Sequence, residues 1–495
     1  MRPAVPLALL LATAACSDVG RGHGGHGVLV IVVDALRADH VGVSGYDRDT
    51  TPVLDGLAAD GVYFAQTFSA GPHVMPAHAA LLTGSDPLIA RRPPLPDGTP
   101  QALVNNWYVP DAAPRLAVEY LAHGYATAAF VDHPWLSPLF GFDRGFEEFH
   151  GFSAGTTGNV PNFGIEGVAT RFLGWIRSLD RDRDWFAYLD LGDLDRSWRE
   201  TDPRWVSYFE PRPELALVPP VCEGGSAFFA LRREVWEETG SRSLGEYEAA
   251  YDGSLRRLDG LIKRLLTQLR QRGRWEETTV CVIGSYGLGF GESGLILASG
   301  TLSDVDLHVP WIVRPAASIE CARGTVAREL ASSIDLAPTL LELSGLGPPA
   351  GMHGVSQVAV LRGAAQPARE LAFARGGEVH TGFAVRDARY SFERISPGAA
   401  GSGALATSWF GDRRPQEEPW REHLRDRLSG AGPGDLEPSA VAPEVAARLR
   451  AAGEDWYGWI EAARDAYHDV PWRAAPIDHE TRAELVRRGL LGAIP

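Results

Sequence analysis

The residues that most restrict the fold of this chain are Val28 to Val33, an uninterrupted apolar run (VLVIVV) rich in β-branched side chains. Such a strand is typical of a parallel sheet that is covered by helices on both faces. The run ends at Asp34. Because open α/β sheets place their ligand sites at the carboxyl ends of the strands, Asp34 is a candidate functional residue.

Further strand and helix signals alternate along the chain. Tyr125 to Val131, Trp185 to Leu191 and Thr279 to Ile283 are apolar runs of strand length. From Tyr251, apolar residues recur every three or four positions towards Gly273, which indicates one buried face of a long helix. This alternation predicts an α/β fold with a large, mainly parallel sheet flanked by helices.

Composition divides the chain into four parts. We expect a signal peptide over 1–16, a linker over 17–27, the α/β domain over 28–365 and a smaller α+β subdomain over 366–495. In that subdomain, Thr381 to Ile395 predicts a hairpin of a small antiparallel sheet. Terminal helices are predicted near Glu444 to Trp459 and His479 to Arg488.

The first residues are typical of an export signal. Arg2 supplies a positive charge, and Val5 to Ala12 is an apolar stretch too short to span a bilayer. Thr13 to Cys16 (TAAC) resembles a bacterial lipobox, which predicts cleavage and lipidation at Cys16. We therefore expect an exported protein in the periplasm or on the cell surface, attached to the membrane through Cys16. The alternative is an ordinary signal peptide with a nearby cleavage site.

Charge and cysteine content limit the classes of partner and cofactor. The chain has 495 residues, and 47 basic against 63 acidic residues give a net charge of −16. This balance argues against a basic groove for nucleic acid. There is no zinc-type cysteine spacing, and the sequence leaves open whether Cys222 and Cys321 form a disulfide.

Several segments together resemble one family. They are VLVIVVDALRADHVGVSGYDRDTTPVLDGLA, PAHAALLTG, CVIGSYGLGFGESG, LHVPWIV and SSIDLAPTLLELSGL. In order and spacing the chain is similar to the sulfatases of the alkaline-phosphatase superfamily, from Val28 to the C-terminus. The resemblance implies that fold, and a divalent cation, usually calcium, held by oxygen ligands. It also implies a nucleophile, in sulfatases a formylglycine made from Cys or Ser two residues before a Pro.

The residues of the chain depart from this pattern at the nucleophile. Asp34 matches the first metal-binding aspartate of the family, whereas Ala35 stands where many relatives have a second. The nucleophile position, two residues before Pro76, is Val74, which has no nucleophilic atom. His78 replaces the arginine of the motif and is a weak catalytic candidate.

The second metal-binding pair of the family is also altered. Ser285 and Tyr286 stand where relatives carry Asp-His or Asp-Asn. A hydroxyl and a phenol replace carboxylate poorly on calcium. Glu292 keeps its place in the family pattern and is a weak candidate ligand, while Ser293 replaces a common histidine.

The middle of the chain lacks the basic groups of the family. Asp190, Asp193 and Asp195 occupy places where relatives often have histidines, and Asp132 stands where many have a lysine. The only lysine of the chain, Lys263, belongs to the predicted long helix, away from the strand ends. Aspartates there would repel an anionic ester, so the lysine-dependent form of the active site is not expected.

These departures lead to a first hypothesis, a catalytically inactive sulfatase homologue that acts as a binding or scaffold protein with a glycan or protein partner. No cofactor is expected, apart from Ca²⁺ or another divalent cation if a metal site persists. A glycan-binding form of this hypothesis would use aromatic side chains near the old cleft, namely Trp135, Trp198 and Trp205. Ordinary packing is the simpler interpretation of these three.

The alternative hypothesis is a metal-dependent sulfuric or phosphoric ester hydrolase or transferase with a rearranged site. Its metal ligands would come from five acids: Asp34, Glu292, Asp190, Asp193 and Asp195. The nucleophile or base would be His73, His78 or Thr83. Simpler roles are a loop-orienting side chain for His78, a hydroxyl at the helix C-terminus for Thr83 and a solvated loop for the three central aspartates.

Overall fold

The structure is a computed structural model that describes the following residues: 25–86, 90–91, 107–151, 164–194, 197, 202–213, 243–290, 296–298, 300–364, 369–376, 382–395, 421–427 and 443–466. The predicted signal peptide with Cys16, most of the linker and the predicted helix at 479–488 lie outside these ranges. The boundary predicted at 365 also lies outside them and stays a prediction.

The described strands and helices alternate through the first two thirds of the chain. The strands are β1 (Gly27–Val33), β2 (Val62–Phe64), β3 (Thr67–Phe68), β4 (Ala90–Arg91), β5 (Trp107–Tyr108), β6 (Ala126–Phe130), β7 (Glu148–His150), β8 (Trp185–Leu191), β9 (Thr278–Gly284), β10 (Gly289–Phe290), β11 (Ile296–Ala298), β12 (Trp311–Arg314), β13 (Thr325–Ala327), β14 (Ala331–Ser332), β15 (Ala372–Arg375), β16 (Gly382–Arg386), β17 (Tyr390–Ile395) and β18 (Arg421–Asp426). The helices are α1 (Pro52–Ala59), α2 (Val74–Thr83), α3 (Leu116–Ala122), α4 (Gly164–Ser178), α5 (Pro203–Val206), α6 (Leu244–Gln271), α7 (Asp304–Leu307), α8 (Leu336–Leu343), α9 (Val358–Leu361) and α10 (Pro443–Ala466). Short 3₁₀ turns occur at Ala38–His40, Gly42–Ser44, Pro134–Leu136, Pro138–Phe140 and Ser333–Asp335.

In the described part of the chain, eight strands form the central sheet in the order β13-β2-β12-β9-β1-β8-β6-β7. Strand β1 lies at its centre and pairs in parallel with β8 and β9, and β6 continues the parallel order beyond β8. Strand β12 runs antiparallel to β9 and β2. The predicted large, mainly parallel sheet is therefore confirmed.

The apolar runs form the strands that were predicted from them. All residues of β1, β8 and β9 are buried, because helices cover both faces of the sheet. The long helix α6 begins at Leu244, before the predicted start at Tyr251, since buried Tyr247 extends its apolar face by one turn. Its chain leaves the helix at Gly273, which has a φ of 65° and so takes up the left-handed conformation that ends many helices.

The C-terminal part contains a four-stranded antiparallel sheet in the order β15-β16-β17-β18, and α10 packs on it. The predicted hairpin is β16 and β17, so this element is confirmed. Arg386 of β16 donates from Nε to Asp304 Oδ1 at 2.8 Å, and Arg427 donates to Asp304 Oδ2 at 2.9 Å. This carboxylate ties the small sheet to the main body. Among the described residues, none of the helices has the length and apolar character needed to cross a membrane.

Candidate functional site

Three central strands bring their carboxyl ends to one place. The register pairs Val33 of β1 with Leu191 of β8 and with Gly284 of β9. The backbone hydrogen bonds between the strands continue for one more residue. Asp34 N donates to Leu191 O and Ser285 N donates to Val33 O, both at 3.1 Å. A Cβ on Gly284 would lie 2.7 Å from Leu36 O, so glycine lets the chain after β1 cross the end of β9.

Helix α2 adds an imidazole to these strand ends. His78 Nε2 lies 2.8 Å from Asp34 Oδ1, and His78 Nδ1 lies 2.7 Å from the Tyr188 hydroxyl. Ser285 Oγ donates to the same Asp34 Oδ1. Asp34, His78 and Ser285 are fully buried, and Tyr188 is almost so. The hydrogen-bonded chain therefore runs through the protein interior.

Asp190, the next-to-last residue of β8, completes this group. Its Oδ2 accepts the backbone N–H groups of Asp132 at 3.3 Å and His133 at 3.2 Å. Its Oδ1 lies 3.8 Å from His78 Nε2 and has no hydrogen-bond partner. The side chain is fully buried, so the expectation that the central aspartates form a solvated loop is wrong for Asp190. The strand carries it inward because residues 188 and 190 share one face.

The other two central aspartates do not join the group. Asp193 is partly exposed and lies 3.4 Å from Arg257 Nη1. Asp195 and the weak candidate Glu292 lie outside the described residues. Of the acids expected in a rearranged metal site, the structure brings together Asp34 and Asp190.

The pKa values of the two buried carboxyls are shifted in opposite directions. Burial disfavours the ionised form of Asp34, but His78, His133 and the Ser285 hydrogen bond outweigh it and lower the pKa of Asp34. Burial raises the pKa of Asp190 well above its ordinary value, and the charges of Asp34 and Asp132 raise it further. The surroundings therefore favour the ionised form of Asp34 and disfavour that of Asp190.

One oxygen of each carboxyl is buried without a hydrogen-bond partner, namely Asp34 Oδ2 and Asp190 Oδ1. Ligand atoms of Asp34, His78 and Asp190 all lie within 4.8 Å of one another. Since buried polar atoms are normally hydrogen-bonded, two such oxygens in one cluster indicate capacity for a further ligand.

The donor set does not fit the calcium ion that the family resemblance implies. Calcium takes six to eight oxygen ligands. The described residues offer the Asp34 and Asp190 carboxyls and the Ser285 hydroxyl, and the His78 imidazole lies against the Asp34 oxygen that would bind the ion. This cluster of side chains is therefore not a calcium site of the family type.

Val74, at the predicted nucleophile position, is the first residue of α2. It lies one helical turn before His78 and so shares its helix face. Its side chain is 8% exposed and belongs to the hydrophobic core. Ala35, the residue after Asp34, has a φ of 58°, a left-handed backbone that is strained for a residue other than glycine.

The remaining candidates from the sequence have structural contacts. Thr83 Oγ1 donates to Ala79 O at 2.6 Å within α2, which agrees with the simpler interpretation as a hydroxyl at the helix C-terminus. His73 precedes α2 and is partly exposed, but its Nε2 is buried without a partner, and burial lowers the pKa of His73 to about 4. Tyr286 lies in the hydrophobic core.

Trp135, Trp205, Lys263 and Cys321 are further residues singled out from the sequence that the structure describes. Trp135 is buried and packs 5.2 Å from Phe140, so it serves the core and does not line an open cleft. Trp205 is half-buried beside α6. Lys263 is exposed on α6, as expected. Cys321 is a free thiol among the described residues, whereas Trp198 and Cys222 lie outside them.

Sequence reasoning missed Tyr188 and His133. Tyr188 could have been found from the alternation in β8 (WFAYLDL), because a strand places residues 188 and 190 on the same side. His133 follows β6, and only the order of strands in the sheet brings its backbone N–H to Asp190.

Comparisons with known proteins agree with this architecture. The family model described as Sulfatase matches residues 26–346. Human arylsulfatase A is 28% identical over 428 residues, which cover 81% of this chain and 80% of that protein. An arylsulfatase of Clostridium perfringens is 22% identical, covering 66% of this chain and 77% of the relative.

Solved structures show the same fold. A 2-O GAG sulfatase superposes with a TM-score of 0.64 and 19% identity, covering 92% of this chain and 96% of that one. The phosphonate monoester hydrolase of Agrobacterium radiobacter superposes with a TM-score of 0.60 and 18% identity, covering 89% and 96% of the two chains.

Proposed function

The chain belongs to the sulfatase family, and we propose that it is a member that binds a partner and does not hydrolyse sulfate esters. The observation on which this proposal rests is Val74 at the start of α2, one turn before His78, whose ring contacts Asp34. A sulfatase needs a nucleophile, and valine cannot be converted into formylglycine.

The surroundings of Asp34 support the proposal. Its Oδ1 accepts hydrogen bonds from His78 and Ser285, where an active relative would bind calcium. Ester hydrolysis also needs cationic groups that neutralise charge on the departing oxygen. The only lysine is exposed on α6, and Asp190 adds a carboxyl instead.

An activity measurement tests this proposal. The purified full-length chain is assayed with aryl sulfates, aryl phosphates and a phosphonate monoester in Ca²⁺, Mg²⁺, Mn²⁺ and Zn²⁺. We expect rates equal to those of the Val74→Ala variant, which is the matched control because neither residue has a nucleophilic atom. Saturable turnover by the native chain that Asp34→Asn abolishes would refute the proposal.

A gain-of-function variant sharpens the same test. We expect Val74→Cys, produced together with a formylglycine-generating enzyme, to remain inactive, since most of the family's calcium ligands and its lysine are still missing. Mass spectrometry of the α2 peptide first shows whether the introduced thiol was modified. Sulfatase activity in the modified variant would mean that the nucleophile alone is missing, and the site would then be close to a working one.

The second candidate function is a metal-dependent ester hydrolase with a rearranged site. The observation that favours it is the cluster of Asp34, His78 and Asp190, with one unpartnered oxygen on each carboxyl. In the same assays, this candidate predicts turnover that requires a transition-metal ion and is lost in His78→Gln. Turnover that persists in His78→Gln would exclude it.

We also propose that the protein is an exported bacterial lipoprotein anchored through Cys16, in the periplasm or at the cell surface. The support is the lipobox-like TAAC segment after a short apolar stretch. Fractionation of cells that produce the native chain should place it in the membrane fraction, and Cys16→Ser should prevent lipid labelling. A native chain that carries no labelled lipid would exclude the anchor.

The partner is proposed to be a glycan or a protein, and not a nucleic acid. With a net charge of −16, the protein should bind polyanions weakly. Immobilised neutral and sulfated glycans, with bound protein measured across a salt series, test whether the partner is a glycan. Retention on sulfated glycan at moderate salt would contradict the expected weak binding of polyanions.

A further inference from the structure

We propose that Asp34, His78 and Asp190 form a closed binding site for one first-row transition-metal ion, such as Zn²⁺, in the place where the family holds calcium. Zn²⁺ binds imidazole nitrogen and carboxylate oxygen in sites with few ligands, whereas calcium takes six to eight ligands, all of them oxygens. The inference goes beyond the proposed function, because binding of the ion does not depend on whether any ester is hydrolysed.

The geometry of the donors supports the site. His78 Nε2 lies 2.8 Å from Asp34 Oδ1 and 3.8 Å from Asp190 Oδ1, and the three ligand atoms lie within 4.8 Å of one another. Asp34 Oδ2 and Asp190 Oδ1 have no hydrogen-bond partner although they are fully buried. A single ion between them would satisfy both oxygens with small movements of the side chains.

The position of Tyr188 supports His78 as a ligand. Metal-binding histidines usually donate their other ring N–H to a fixed acceptor, which sets the tautomer and the ring orientation. The Tyr188 hydroxyl, 2.7 Å from His78 Nδ1, can accept such a bond once a metal ion replaces the proton on Nε2, and it is buried with the ring. When Nδ1 carries the proton, the lone pair of Nε2 faces the two carboxyls.

The charges of the cluster also match a dication. Two ionised carboxylates and a neutral imidazole carry a charge of −2, which one divalent ion balances. Within the described residues, no Arg or Lys pairs with Asp34 or Asp190, so no protein cation competes for the place.

Burial distinguishes this site from a catalytic one. Catalytic zinc keeps one coordination position open for water or substrate, whereas structural zinc is enclosed by protein ligands. Asp34, His78, Asp190 and the neighbouring Ser285 hydroxyl are all 0% exposed. We therefore infer a structural ion that joins the ends of β1 and β8 to α2.

Direct binding measurements on the full-length chain test the inference. The protein is stripped with a chelator, and Zn²⁺, Mn²⁺ and Ca²⁺ are titrated separately by calorimetry. We expect one Zn²⁺ per chain and weaker binding of Ca²⁺. Removing one ligand with His78→Gln or Asp190→Asn should weaken Zn²⁺ binding by about 100-fold or more.

A matched control comes from another buried pair. His40 Nδ1 lies 2.8 Å from Asp252 Oδ1, and both residues are buried. Asp252 Oδ2 accepts from Tyr46 and Arg48, and the pair shares no residue with the proposed site, so His40→Gln should leave Zn²⁺ affinity unchanged. Circular dichroism establishes that each variant is folded before its affinity is compared.

A second measurement keeps the test decisive if His78→Gln fails to fold. Tyr188→Phe keeps the imidazole but removes its acceptor, and should weaken Zn²⁺ binding by about 10-fold to 100-fold. Co²⁺ bound to the native chain should give a paramagnetically shifted, exchangeable imidazole N–H signal. The proposal fails if the stripped native chain binds no Zn²⁺, if Ca²⁺ binds more tightly, or if no variant at positions 78, 188 or 190 changes the affinity.

Discussion

Two buried histidine–aspartate pairs in this protein have opposite surroundings. In the helix pair, His40 and Asp252, the carboxylate also accepts hydrogen bonds from the Tyr46 hydroxyl and from Arg48, each at 2.7 Å. In the strand-end pair, His78 and Asp34, one carboxylate oxygen takes two donors and the other takes none. The helix pair is a satisfied structural network, whereas the strand-end pair retains capacity for a ligand.

The hydrogen-bond partners of a buried histidine–aspartate pair indicate whether the pair is purely structural. Burying an ionised group costs free energy that partners must offset. The helix pair meets this requirement with a guanidinium, a phenol and an imidazole around one carboxylate. The strand-end pair leaves Asp34 Oδ2 without a partner, and the neighbouring Asp190 Oδ1 has none either. Both oxygens lie at the edge of the sheet where α/β proteins hold their ligands.

The largest expected effect concerns the helix pair. Asp252→Ala removes the common acceptor of His40, Tyr46 and Arg48, of which Arg48 keeps contacts with Glu210 O and Glu248. We expect the free energy of unfolding to fall by about 3–5 kcal/mol. Urea unfolding followed by tryptophan fluorescence measures it. A loss below about 1 kcal/mol would show that the satisfied network does not stabilise the fold.

The next prediction is a pH dependence of the free energy of unfolding, caused by Asp306, a buried carboxyl with one unpartnered oxygen. Asp306 Oδ2 accepts hydrogen bonds from the backbone of Gly300 and from Thr301, but its Oδ1 has no partner. Burial raises the pKa of Asp306 to about 7. The folded state therefore binds the proton more tightly than the unfolded state. Stability due to this group is present at pH 4 and is lost as the pH rises to about 7, by at most about 4 kcal/mol.

Comparison with Asp306→Asn isolates this contribution, because the amide oxygen keeps the acceptor role and does not ionise. Unfolding midpoints are measured from pH 4 to pH 8 for both chains. The difference in stability should shift in favour of the variant as the pH rises. A difference that is constant across this range would contradict the assignment.

A smaller effect tests the residue that links the two pairs. The Tyr251 hydroxyl donates to Ala35 O at 2.7 Å and accepts the N–H of Arg37 at 3.1 Å, next to Asp34 on one side and Asp252 on the other. Tyr251→Phe leaves these two buried backbone groups without that partner, which should cost about 1–3 kcal/mol. Unfolding in urea measures it, with Tyr208→Phe on the surface as the control. Equal stability of the two variants would show that Tyr251 does not hold the strand-end loop.

The smallest expected effect is Asp190→Asn in protein stripped of metal. Burial raises the pKa of Asp190 and so disfavours its charged form, and an amide oxygen can accept the same two backbone N–H groups. We expect a change in stability within about 1 kcal/mol. Thermal unfolding in the presence of a chelator measures it. A loss as large as that of Asp252→Ala would show that both pairs are structural and would remove the contrast between them.

The sequence by itself determined the central parallel sheet and the carboxyl edge of that sheet, where α/β proteins bind their ligands. The run from Val28 to Val33 could be buried only as a central strand, and Asp34 had to follow it at the carboxyl edge. The absence of a nucleophile at Val74 and the single lysine are also properties of the sequence, read through its resemblance to a family. Local periodicity was sufficient for these features, because each depends on residues that are near in the chain.

Only the tertiary structure decided which polar groups meet at that edge. Asp34, His78, Asp190 and Ser285 come from three strands and a helix, up to 251 positions apart in the chain. No local pattern distinguishes a solvated aspartate from Asp190, because its burial depends on how β8 lies between β1 and β6. The order of strands brings these side chains within contact, and burial together with the neighbouring groups then shifts the pKa values of Asp34 and Asp190 in opposite directions.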